Sequence, residues 1–72
     1  MIETLAQIDC PDRPKRKGFN AGIVLQDDVV VEAAPIVGFM KKQKWTRGRV
    51  RDYCRQRGWS VSVVWEMQRA RT

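Results

Sequence analysis

Apolar and polar positions alternate along WSVSVVWE, residues 59–66: Trp59, Val61, Val63 and Trp65 share one side, Ser60, Ser62, Val64 and Glu66 the other. A period of two belongs to an extended chain with one face buried, which predicts a C-terminal strand. Upstream, AGIVLQDDVVVE (21–32) holds two β-branched runs separated by Asp27 and Asp28. Aspartate tolerates turn backbone, so a two-residue hairpin is predicted in which Gln26 faces Val29 and Leu25 faces Val30. Both faces of this hairpin carry apolar side chains, and alternation alone leaves open which is buried.

Helical spacing takes over between the hairpin and the last strand. In AAPIVGFMKKQ (33–43), Pro35 suits a first helical turn, and Ile36, Phe39 and Met40 recur at helical intervals. Gly38 weakens that short helix by about 1 kcal/mol relative to alanine, so the helix must depend on packing. The next segment, WTRGRVRDYCRQRG (45–58), is marked at both ends: Thr46 is an N-cap, Gly58 a stop, and Trp45 is placed to staple onto Val50. Val50, Tyr53, Cys54 and the stem of Arg57 form its apolar stripe.

Residues 1–18 read differently. The run Pro11–Gly18 contains two prolines, four basic residues and a glycine, a poor basis for a packed element. A flexible basic arm over 1–18 is therefore predicted, followed by a single domain at 19–67 and a frayed tail at 68–72. Ile2, Leu5 and Ile8, spaced by three, fit either a short helix or a strand added at a sheet edge. The predicted fold is α+β, with a small three-stranded antiparallel sheet made of the hairpin and the C-terminal strand, and two short helices packed on one face.

Seventy-two residues make one domain with a thin core, burying roughly 60% of the surface its unfolded chain exposes. Composition still favours folding over disorder, since 43% of residues are hydrophobic and three are tryptophan. The net charge of +6 is concentrated: residues 41–57 hold eight of the fourteen basic residues and one of the eight acidic ones, Asp52. That segment carries +7 and the remainder −1. Such asymmetry attracts a polyanion or an acidic protein face.

Chemistry narrows the function further. The chain has no histidine, and Cys10 and Cys54 stand far apart outside any Cys-x-x-Cys pattern, so neither a metal site nor a cofactor is expected. The adjacent acids Asp27 and Asp28 belong to a turn, and no phosphate-binding glycine loop or Gly-x-Ser-x-Gly elbow occurs, so no enzyme is expected. The start lacks a basic leader followed by an apolar run, and apolar stretches such as Val29–Val31 fall far short of the ~20 residues of a membrane span. A cytoplasmic protein with both thiols reduced is expected.

The candidate binding residues are basic. Arg47, Arg51 and Arg55 recur every fourth position on the second helix, a like-charge row that costs about 0.2–0.5 kcal/mol per pair and suits either a solvated face or an anionic partner. Lys41, Lys42, Lys44 and Trp45 lead into that helix, with Trp45 a staple or a staple that also reaches a partner. Arg13, Lys15, Arg16 and Lys17 of the arm suit a phosphate backbone or plain solvation. Two functions compete: a protein-binding regulator, or a basic nucleic-acid-binding module whose two helices act as a helix-turn-helix with Arg47, Arg49 and Arg51 reading the major groove.

GFNAGIVLQDDVVVEAAPIVGFM (18–40) followed by VRDYCRQRGWSV (50–61) resembles small accessory proteins of tailed bacteriophages. In length and basic character the chain is similar to transcription regulators of lytic Xanthomonas phages that bind the host RNA polymerase. This resemblance implies a protein that engages the large catalytic subunits in the host bacterial cytoplasm and inhibits transcription initiation by disfavouring the sigma-bound promoter complex, with antitermination as a further effect; a monomer is expected. It tips the balance toward the protein-binding regulator.

Overall fold

The computed structural model describes residues 1–68, so most of the tail expected to fray lies outside the described residues, and Gln68 ends a strand. The class is α+β as expected, but the sheet has four strands where three were predicted. β1 (Ile2–Cys10), β2 (Phe19–Gln26), β3 (Val29–Ala33) and β4 (Ser60–Gln68) lie in the order β3-β2-β1-β4, with antiparallel neighbours throughout. A 3₁₀ turn (Pro35–Val37), α1 (Gly38–Lys42) and α2 (Arg47–Arg57) connect β3 to β4.

The additional strand comes from the segment read as a flexible arm, and it is central. Thr4, Ala6 and Ile8 alternate with more exposed neighbours and are buried, Ile8 completely. A spacing of three cannot keep Ile2, Leu5 and Ile8 on one face of a strand, and Leu5 falls on the opposite side from Ile8. The remainder of the arm is a strap closed on itself. Arg13 and Arg16 exchange backbone hydrogen bonds of 2.8 and 3.0 Å, and the Asp12 carboxylate accepts from the Gly18 amide. A Cβ on Gly18 would collide with the Cys10 carbonyl oxygen, so only glycine allows the return into β2.

The hairpin forms in the predicted register, Gln26 opposite Val29 and Leu25 opposite Val30. Asp27 and Asp28 take φ values of 50° and 65°, the left-handed backbone that a tight hairpin with right-twisted strands demands. Its buried face is Ala21, Ile23, Leu25 and Val30, which joins Ala6 and Ile8 beneath the helices. The edge beyond β3 is covered at its hairpin end: the Val30 amide donates to the Trp45 carbonyl (2.9 Å), and the Asp28 carbonyl accepts from the Arg47 amide (2.8 Å).

Both helices occupy one face of the sheet. Because the first opens with a 3₁₀ turn, Val37 takes the buried position expected for Ile36, which is 56% exposed; Met40 is buried as expected. α2 keeps its predicted ends. The Thr46 hydroxyl accepts from the Arg49 amide (3.3 Å), and Gly58 turns left-handed at φ 76° with Schellman-type bonds from Gly58 to Arg55 and from Trp59 to Cys54. Val50 and Cys54 are buried beneath it. Rings of Phe39, Trp45, Tyr53, Trp59 and Phe19 follow one another at centroid spacings of 5.1–5.6 Å, tying both helices to the start of β2.

β4 departs from its predicted facing. Leu5 pairs with Trp65 but Ala6 with Val63, so Val64 is an inserted residue, a β-bulge. The bulge moves Trp65 to the outer face with Leu5 and brings Glu66 to the helix side, where Thr4 Oγ1 donates to Glu66 Oε2 at 3.0 Å. Val61 and Val63 keep the inner face but remain 37% and 46% exposed.

Two outcomes follow from the packing. Ile8→Ala, in the middle of the central strand, should destabilise the domain by about 2–5 kcal/mol in urea titrations, whereas the same change in a flexible arm would leave the midpoint unmoved. Cys54 is free and buried, and that burial raises its thiol above the ordinary range, while Cys10 is free and half-buried. Iodoacetamide should therefore modify Cys10 in the native protein and reach Cys54 only on unfolding, as peptide mass spectrometry would show. The folded state holds the Cys54 proton more tightly than the unfolded chain. Its contribution to stability is full below the ordinary thiol range and falls as pH rises through it.

Candidate functional site

α2 follows β4 along its length. Arg47, in its first turn, meets Glu66, and its last turn passes through Gly58 and Trp59 into the strand. Arg47, Arg51 and Arg55 lie on one flank of the helix, each about 6 Å further along its axis. The inner stripe of Val50 and Cys54 is committed to the core, so this arginine row overhangs the side of the sheet that the helix leaves uncovered. Beneath it runs a groove of about 450 Å³. Thr4, Ala6, Ile23 and Leu25 form its floor, the arginine row one wall, and Trp59, Val61 and Val63 the other.

The three arginines are not equivalent. Arg47 Nη1 contacts Glu66 Oε2 at 3.0 Å and Asp28 Oδ1 at 3.5 Å, which closes one end of the groove from within the chain. Among the described residues no carboxylate pairs with Arg51 or Arg55, and both are exposed. Mutual repulsion between them is therefore left for solvent or a ligand to offset.

The strap joins this surface. Arg13, Arg16 and Lys17 line a second cleft of about 690 Å³ together with Arg55 and Arg57, and Arg55, Gly58 and Trp59 border both spaces. Arg13 Nη2 donates to the Arg57 carbonyl at 3.1 Å, where the carbonyl end of α2 favours a cation. Segments about forty residues apart in sequence thus form one continuous basic track.

Other expected contacts lie elsewhere. Trp45 is 7% exposed, its indole N–H donates to Gln43 Oε1 (3.1 Å), and the Arg49 guanidinium covers its ring at 4.6 Å. It is a core residue, as a staple would be. Lys41 pairs with Glu32 at 3.2 Å, while Lys42, Lys44 and Lys15 are exposed and line neither space. Arg57 lies over Tyr53 at 4.5 Å, extending the aromatic packing outward. As a helix-turn-helix the pair is poorly arranged, because α1 has five residues and Arg47 and Arg49, at the entry of the second helix, are engaged within the chain.

Sequence reasoning missed Val61 and Val63 as an open wall and Glu66 as the partner of Arg47. The one sign was Val64, an apolar residue on the polar side of the alternation, where the bulge occurs. Among the described residues no helix is long and apolar enough to cross a membrane. No family model, curated protein or solved structure matches the chain.

Proposed function

We propose that this chain is a non-catalytic phage regulator that binds the large catalytic subunits of the host RNA polymerase and inhibits transcription initiation, docking through the groove between α2 and β4. The observation that carries the reading is the pair Arg51 and Arg55, without carboxylate partners among the described residues, above an apolar floor. An apolar groove gains affinity from surface removed from water, and cations on its rim orient an acidic partner and speed encounter. Nucleic acid would set its phosphates against the arginines and leave the exposed Val61 and Val63 without an apolar partner. The choice of polymerase rests on the resemblance of residues 18–40 and 50–61 to small phage accessory proteins and of the whole chain, in length and basic character, to phage transcription regulators. Antitermination belongs to the same proposal.

Arg47 supports the fold through Glu66 and Asp28, so Arg51 and Arg55 are the residues to change. Tagged protein should capture the polymerase large subunits from bacterial lysate with or without nuclease, and should reduce run-off transcription from a sigma-dependent promoter. Arg51→Glu/Arg55→Glu should keep the circular dichroism spectrum and melting temperature while weakening capture by roughly 10-fold or more per site, the scale of a lost charge-assisted hydrogen bond. Capture that disappears with nuclease and falls steeply with salt would instead mean direct nucleic-acid binding. A folded double variant that still captures polymerase would remove the groove as the docking site.

A further inference from the structure

The two edges of the sheet are treated unequally. The segment entering α2 covers the hairpin end of the β3 edge with two hydrogen bonds, whereas β4 ends the sheet with nine residues that include neither lysine nor proline, the usual guards of an exposed edge. The bulge at Val64 divides that edge and leaves Ser60–Val63 as an unbroken run, paired on one side with Ala6–Asp9. The inward side chains of this run, Val61 and Val63, are the open wall of the groove.

We propose that Ser60–Val63 accepts a fifth strand from the partner, an extended acidic segment whose carboxylates enter the groove and meet Arg51 and Arg55. The inference rests on the protein-docking reading above and specifies the form of what docks. The chain already contains one such contact. Glu66, on the inner face of β4, reaches up to Arg47 at 3.0 Å. Further along the row, β4 presents Val61 and Val63 instead of acids, so carboxylates for Arg51 and Arg55 must come from the next strand out. Spacing agrees: side chains on one face of a strand recur every ~6.6 Å, and arginines four apart on a helix every ~6 Å. Acids at alternate positions of the added strand thus fall beneath successive arginines.

Charge argues against a second copy of this chain at the same edge. A twofold β4–β4 pair keeps both helices on one face of the joined sheet, so two arginine rows would confront each other across the groove with no carboxylate for Arg51 or Arg55. An acidic strand supplies that charge, covers Val61 and Val63, and pairs the open backbone in one step.

The test uses a capped eight-residue peptide of alternating valine and glutamate, with a valine–lysine peptide as control, titrated into the full isotope-labelled chain. The glutamate peptide should bind with Kd below about 1 mM, the weak end for a short unoptimised ligand. It should slow amide exchange within Ser60–Val63, and Arg51→Gln/Arg55→Gln should raise Kd at least 10-fold in a folded protein. No binding, equal binding of the lysine peptide, or binding without protection of Ser60–Val63 would each overturn the proposal, the last pointing to a helical occupant. Concentration-dependent protection of β4 without peptide, with a dimer in sedimentation, would assign the edge to a second copy and also overturn it. Nuclease-resistant polymerase capture together with any of these failures would leave the docking surface standing and remove only the added strand.

Discussion

Pairing of β1 on both sides is the constraint on which the rest of the molecule depends. β1 bonds to β2 over Glu3–Cys10 and to β4 over Ile2–Asp9, so the first ten residues join the two halves of the chain. Without it the hairpin and the C-terminal strand would share no neighbour, and the helices would span a gap. Its inward residues, Thr4, Ala6 and Ile8, are small or slender and all buried. Thr4 is the polar member of that row, and its hydroxyl has Glu66 as acceptor, so burial leaves no hydrogen-bonding capacity idle.

Local signals in the chain were readable wherever one or two residues decide a conformation. Thr46 and Gly58 bound α2, and Asp27-Asp28 set the hairpin register, because caps and turns act through backbone geometry within a few positions. Placement of β1 was not readable in the same way. Its alternation is carried by a threonine, an alanine and an isoleucine, too weak a pattern beside a proline-rich basic run, and its burial is decided by strands far along the chain. The facing of β4 failed for a different reason. A bulge changes parity without changing composition, so Trp65 and Glu66 exchanged faces while the apolar count stayed the same.

The candidate site was half legible for related reasons. Helical spacing alone puts Arg47, Arg51 and Arg55 in one row, but an arginine row is also what a solvated face looks like. What separates the two is the partly open inner face of β4, a tertiary fact: α2 runs beside it, and Val61 and Val63 are left partly in water. The strap's arrival beside Arg55 and Arg57 is equally non-local, set by the length of the β1–β2 connection and by the close backbone approach at Gly18.

Packing then sorts a nearly uniform run of cations into different tasks. Arg49 and Arg57 lie over the rings of Trp45 and Tyr53, where a weakly hydrated planar guanidinium adds apolar contact as well as charge. Lys41 and Arg47 are each met by carboxylates of the chain. Arg51, at mid-helix, and Arg55, in the last turn, receive neither an aromatic face nor a carboxylate among the described residues. A helix of this length could distribute acids among its arginines at little cost in propensity, since glutamate is as good a helix former as arginine. The α2 sequence places its single acid, Asp52, beside Tyr53 and Gln56 on another flank instead. The positive potential over the groove therefore follows from where the fold turns Asp52 away, as much as from the number of arginines.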